Sequence, residues 1–103
     1  MPPLIITKDN FENEVMKSTI PVLIDFWAAW CAPCRAVAPV IDEIANEVSD
    51  VKICKVNVDE EPEIAAAFRV SSIPTLAVVK DGKVTNQAAG VKPKATILQM
   101  INK

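Results

Sequence analysis

The sequence predicts an α/β fold in which a mixed central β-sheet is flanked by helices. Three observations carry that expectation. The run Val22-Leu23-Ile24-Asp25-Phe26-Trp27 is apolar almost throughout, as in a strand buried on both faces. After it, Val37, Ile41, Ile44, Ala45 and Val48 recur at helical spacing. Near the C-terminus, Asp81-Gly82 separates two β-prone runs and marks a tight hairpin. Alternating strands and helices make neighbouring strands parallel, whereas a hairpin is antiparallel, so the sheet must be mixed.

The elements follow in the order β-α-β-α-β-α-β-β-α. Leu4-Ile5-Ile6 is a short first strand. Thr7 is an N-cap candidate for a helix whose first turns are rich in Asp and Glu, which suits the positive end of a helix. Pro21 closes that unit, and Val22–Trp27 is the second strand. A long helix spans Cys34 to Val48, with Pro39 inside it as a kink. Val51–Asp59 alternates, with Cys54, Val56 and Val58 on one side. Pro62 suits the first turn of a short helix ending at Phe68. Thr75–Val79 and Val84–Ala88 flank the hairpin turn, and Ala95–Ile101 closes the chain as a helix.

A chain of 103 residues suits one domain, residues 1–103. Half of the residues are apolar, enough for a real core. No apolar run approaches the ~20 residues of a membrane span. Eleven basic and thirteen acidic residues give a net charge of −2, which argues against a nucleic-acid surface. The opening Met1-Pro2-Pro3-Leu4-Ile5-Ile6 lacks the basic start and long apolar stretch of a signal peptide, so a cytoplasmic location is expected. Three Cys and no His do not make a disulfide framework.

The chemistry concentrates at Trp30-Cys31-Ala32-Pro33-Cys34, which follows a buried strand and opens a helix. A C-x-x-C at such a junction is a redox motif. The attacking species in disulfide chemistry is a thiolate, and a helix N-terminus offers unpaired N–H groups and a positive dipole end to stabilise it. Cys31, expected to be the more exposed sulfur, is the candidate nucleophile. Cys34, one turn inside, is placed to resolve the mixed disulfide. The competing reading is half of a structural zinc site, for which the chain has only Cys54 to add and no His. A purely structural disulfide would gain little from closing so short a loop. Asp25 is the other oddity: a carboxylate within an apolar strand is costly, burial should raise its pKa, and such groups cluster at functional sites.

Along nearly its whole length the chain resembles the thioredoxin family. The resemblance lies in Val22 to Arg35, in Pro39, in Lys55-Val56-Asn57-Val58-Asp59, in Ile73-Pro74-Thr75, in Asp81-Gly82 and in Gly90. Several separated motifs in the right order are far more specific than C-x-x-C alone. The resemblance implies a thioredoxin fold and a general protein-disulfide reductase needing no cofactor. It implies a reductase enzyme, thioredoxin reductase, as electron donor and disulfide-containing proteins as substrates, and a monomer that binds neither nucleic acid nor membrane. It makes Asp25 the buried acid that moves a proton to or from Cys34 through water, with Lys55 as its partner across the sheet. It makes the Ile73–Pro74 bond cis, facing the disulfide, where backbone groups can pair with an extended substrate segment. Trp30, Ala32, Pro33, Ile73, Pro74, Gly90 and Val91 would form the docking surface around Cys31. Trp27 is expected to support the core, and Cys54 to be a buried small hydrophobe.

The sequence departs from the family pattern at the rim. Ala32 stands where Gly is usual, Arg35 where Lys is common, and Ser71-Ser72 where a Gly-containing run is usual. These positions bear on partner choice and redox potential rather than on reaction type. An oxidase or isomerase of the same fold is a second possibility, for which export signals and a His between the cysteines would speak; the His is absent. An interaction module that uses only the surface is a third, and the intact Cys31 and Cys34 argue against it as the sole role.

Overall fold

A computed structural model describes residues 1–103. Five strands, β1 (Leu4–Ile5), β2 (Val22–Trp27), β3 (Lys52–Asn57), β4 (Thr75–Lys80) and β5 (Lys83–Ala89), form one sheet in the order β1-β3-β2-β4-β5. The pairs β1–β3 and β2–β3 are parallel, and β2–β4 and β4–β5 are antiparallel. Three helices pack on it: α1 (Ala32–Glu47), α2 (Pro62–Ala67) and α3 (Lys94–Asn102). This is the expected thioredoxin fold.

The alternation along β2 divides the core. Val22, Ile24 and Phe26 join Cys54, Val56, Ala77 and Val79 on one face, where Ile64, Ala65 and Phe68 of the α2 region cover them. Leu23 joins Ile53, Leu76 and Val78 on the other, beneath Val37, Ile41 and Ile44 of α1 and Ile97, Met100 and Ile101 of α3. Both faces are filled, which is why β2 and β4 are apolar almost throughout. At the hairpin, Asp81 and Gly82 both have positive φ, 53° and 76°, the backbone a two-residue turn of the I′ kind requires.

One expected element differs. After β1 the chain does turn at Thr7, whose Oγ1 accepts the Asp9 N–H (3.3 Å) and whose carbonyl accepts the Asn10 and Phe11 N–H groups (3.2 and 3.0 Å), but the helix it opens is not a regular α-helix. Residues Glu12–Met16 form a wide π-helical turn in which the Lys17 N–H donates to the Glu12 carbonyl (2.9 Å). Asn10 holds the start of this segment. Its side-chain oxygen accepts the Thr7 N–H (2.8 Å), and its amide donates to the Ile5 carbonyl (3.0 Å). The carboxamide thus closes the turn that Thr7 opens, in the manner of a capping box, and also completes the outer edge of β1. The wide turn still buries Val15 and packs Phe11 and Met16 on the core. The long helix is one continuous element, with Pro39 inside it, and begins at Ala32, two residues before the expected Cys34.

This topology places the site. Because β4 runs against β2, the start of β4 lies at the same end of the sheet as the end of β2. Because β5 runs against β4, its end arrives there too. The carboxyl end of a central strand in an open α/β sheet is where such folds place their reactive groups.

Candidate active site at the end of the second strand

The segment Ala28–Cys31 joins β2 to α1, and the Cys31 N–H closes it by donating to the Ala28 carbonyl (3.2 Å). Cys31 is the N-cap of α1 and forms a disulfide with Cys34, their Cα atoms 5.3 Å apart. The Cys34 N–H points at Cys31 Sγ (3.2 Å). Pro33 has no N–H, and the Arg35 N–H is engaged by the Cys31 carbonyl (3.3 Å). The Cys34 amide is therefore the helix-end donor aimed at the sulfur. It stabilises negative charge on Cys31 once the disulfide opens.

The expectation that Cys31 is the more exposed sulfur does not hold in the disulfide form. Cys31 and Cys34 are each 3% exposed, because Trp27, Val58 and Ile73 pack around the pair. What distinguishes them is the amide directed at Cys31, not access.

Across from the sulfurs, the Ile73–Pro74 peptide bond is cis, and Cys31 Sγ lies 3.7 Å from the Ile73 carbonyl oxygen. The Pro74 carbonyl accepts the Gly90 N–H (2.8 Å), which ties the end of β5 to the start of β4. Gly90 has φ +94°, a conformation open to glycine. Trp30 is 68% exposed and Val91 50%, while Ala32 and Pro33 are exposed and Ile73 half-buried. A cleft of about 400 Å³ runs between Trp30, Val58, Val70 and Ile73. A larger hollow of about 790 Å³, between the N-terminal segment and the end of α1, shares no residue with this site.

Asp25 is 1% exposed on the α1 side of β2, and neither carboxylate oxygen has a hydrogen-bond partner. Burial raises its pKa from 3.8 to about 6, the nearby Lys55 charge opposes that rise, and Asp42 on α1 adds to it. Lys55 is its direct neighbour in the parallel register with β3. The ammonium nevertheless rests over the Trp27 ring, 4.9 Å from its centroid. Trp27 thus holds a charged neighbour as well as supporting the core.

Cys54 lies fully buried among Ile24, Val56 and Ile6, and desolvation pushes its thiol up to about 12. No three His, Cys, Asp or Glu side chains come together, so the zinc reading lacks a ligand set. No helix is long and apolar enough to cross a membrane.

Three contributions were not legible in the sequence. The Trp30 Nε1–H donates to Asp59 Oδ2 (2.8 Å), the Arg35 guanidinium donates to the Ala29 carbonyl (2.9 Å), and Thr75 Oγ1 donates to the Ser72 carbonyl (2.6 Å). Only the Asn57-Val58-Asp59 spacing gave a local hint, since the Asn57 side chain accepts the Asp59 N–H and orients that loop.

A thioredoxin family model matches residues 2–103. The chain belongs to the thioredoxin family. It is 50% identical over 99 residues to thioredoxin 1 of Synechococcus elongatus, covering 95% of this chain and 92% of that one. It is also 50% identical to a chloroplastic M-type thioredoxin of Chlamydomonas reinhardtii, covering 71% of that protein. To a thioredoxin of Rickettsia bellii it is 44% identical over 98 residues. As a thioredoxin-family thiol–disulfide oxidoreductase with a redox-active cysteine pair, the protein is a protein-disulfide reductase.

Proposed function

We propose that the protein reduces disulfides in other proteins with Cys31 as the entering sulfur and Cys34 as the resolving one. The observation that carries this assignment is the Cys34 N–H aimed at Cys31 Sγ from the start of α1. In the reduced protein, the Cys31 thiolate attacks one sulfur of a substrate disulfide. The substrate S–S bond breaks, a Cys31–substrate disulfide forms, and the other substrate sulfur leaves as a thiolate that takes up a proton. Cys34 then loses its proton and attacks Cys31 Sγ. The mixed disulfide breaks, the intramolecular disulfide forms, and the second substrate thiol leaves. Two electrons pass from the cysteine pair to the substrate. Asp25, buried with both oxygens unpartnered, is the group that accepts the Cys34 proton, and Lys55 tunes it from the adjacent strand.

Trp30, Ala32, Pro33, Ile73, Pro74, Gly90 and Val91 form the docking surface in this reading. Its support is the exposure of Trp30 and Val91 beside a pair of otherwise buried sulfurs. Electrons return from a thioredoxin reductase. Residues 1–103 act as one monomeric domain in a reducing compartment, read as the cytoplasm; the Chlamydomonas relative's name places that protein in the chloroplast.

Trapping tests the assignment. Cys34→Ser should accumulate a mixed disulfide on Cys31 when offered a protein disulfide, and Cys31→Ser should form none. Adducts on Cys34 in Cys31→Ser, at the rate seen for Cys31, would reverse the roles.

A further inference from the structure

The Ala28–Cys31 segment presents Trp30 and delivers Cys31, yet one turn hydrogen bond is its only internal backbone tie. Two side chains hold it from opposite sides. Asp59 takes the Trp30 indole N–H from beyond the end of β3. Arg35 reaches back from the first turn of α1 and donates from Nη1 to the Ala29 carbonyl (2.9 Å). Arg35 is exposed and forms no ion pair. A cation in the first turn of a helix sits against the dipole, where an acidic residue would be preferred, and α1 has no acidic residue there. The side chain could extend into water at less electrostatic cost. Instead it is folded onto the peptide that precedes Trp30.

We propose that Arg35 is a positioning residue for disulfide exchange: by holding the Ala29 carbonyl, it fixes the Ala29–Trp30 peptide and with it the orientation of Trp30 on the docking rim. Asp59 alone anchors the indole by one bond and leaves the peptide free to turn. With both ties, the indole is held at its ring and at its backbone. A partner protein that docks on Trp30 meets a preformed surface and loses less ordering entropy on binding. A small disulfide, which needs only the sulfur, gains little from it. The proposal rests on Cys31 being the entering sulfur, and its target is the rim rather than the thiol.

The test compares wild type, Arg35→Met and Arg35→Lys in the full chain. Reduction of a folded protein disulfide and of a small aromatic disulfide is measured under the same conditions. For Arg35→Met, the KM for the protein disulfide should rise about threefold more than that for the small one, the scale of one lost solvent-screened interaction of an exposed charge. The kcat ratio should stay close to one. Arg35→Lys, which keeps a donor on a shorter and unforked group, should recover part of the loss. In protein labelled with fluorotryptophan, the fluorine resonance of Trp30 should shift or broaden in Arg35→Met while that of Trp27 stays put. The pH profile of Cys31 alkylation separates the alternatives. An upward shift of that profile with equal loss on both substrates would make Arg35 a charge acting on the sulfur and would overturn the proposal. Unchanged KM and unchanged Trp30 resonance would overturn it too. If wild type itself fails to reduce the small disulfide through Cys31, the underlying assignment fails instead.

Discussion

Asp25 and Lys55 are direct neighbours on adjacent parallel strands, yet the lysine rests on the face of Trp27 and leaves both carboxylate oxygens without a hydrogen bond. The charge of Lys55 lowers the pKa of Asp25, but less than burial raises it. A bonded pair would have left an acid ionised throughout the physiological range. The observed arrangement leaves a carboxyl that titrates near pH 6.

That relationship fixes the pH dependence of stability. The folded-state pKa of Asp25 lies above its ordinary value of 3.8, so the native state holds the proton more tightly than the unfolded chain. The carboxylate's penalty is absent below about pH 4, grows as pH rises, and is complete above about pH 6. A rise from 3.8 to about 6 corresponds to about 3 kcal/mol. Asp25→Asn should therefore raise stability by an amount of that order at pH 8 and by little at pH 4, as read by urea unfolding at both. The same variant should slow resolution of the mixed disulfide near neutral pH. An equal gain at both pH values would show that Asp25 carries no folding-linked proton.

Cys54 should behave as core. With its thiol pushed up to about 12, native reduced protein should take alkylating reagent on Cys31 and Cys34 only, and on all three thiols in denaturant. Cys54→Ala should cost about 1 kcal/mol through the small cavity it leaves and change turnover by less than about twofold. Mass spectrometry of the native adducts checks the first expectation. Labelling of Cys54 at the rate of Cys31 would mean that the thiol is not sequestered.

Ala32 is the first residue of α1 and is exposed. Glycine there would add conformational freedom to the unfolded chain, so Ala32→Gly should destabilise the domain by up to about 1 kcal/mol. Its methyl stands beside Cys31, on the proposed docking rim. Rates with a protein disulfide should therefore change more than rates with a small aromatic disulfide. A common factor for both substrates would place Ala32 among the groups that tune the thiol.

Asn10→Ala removes both hydrogen bonds that the carboxamide makes to Ile5 and Thr7. A loss of about 1 kcal/mol is expected, with faster amide hydrogen exchange at Thr7. Asn10→Asp, which keeps the acceptor and loses the donor, should fall between the two. Unchanged exchange at Thr7 in the alanine variant would show that water replaces the side chain without loss.

The parts of the molecule read correctly from sequence are those set by local pattern. The apolar run at β2, the periodicity of α1 and the Asp81-Gly82 turn all depend on residues close in the chain. Asp25 stood out for the same reason, as a charge within an apolar run. The features that escaped depend on where long side chains settle after folding. Nothing near Lys55 says that it will choose an indole over a carboxylate. Nothing near Arg35 or Trp30 names the Ala29 carbonyl or Asp59 as partner. The π-helical turn escaped because apolar spacing and acidic first-turn residues do not distinguish an i−5 closure from an i−4 one. The equal burial of the two cysteines escaped because Val58 and Ile73 arrive from the loops after β3 and before β4.

The carboxamide of Asn10 has a meaning beyond the first strand. It occupies backbone groups that another chain would need in order to add itself to the sheet at β1, and Pro3 just before them offers no N–H. The opposite border, β5, is seven residues long and is guarded mainly by Lys83 and its polar Thr85, Asn86 and Gln87. The two borders therefore differ in their openness to a stranger. Of the two borders, β5 is the more open to strand-on-strand addition, and substitutions there that add apolar surface or remove Lys83 should lower solubility more than equal changes at β1.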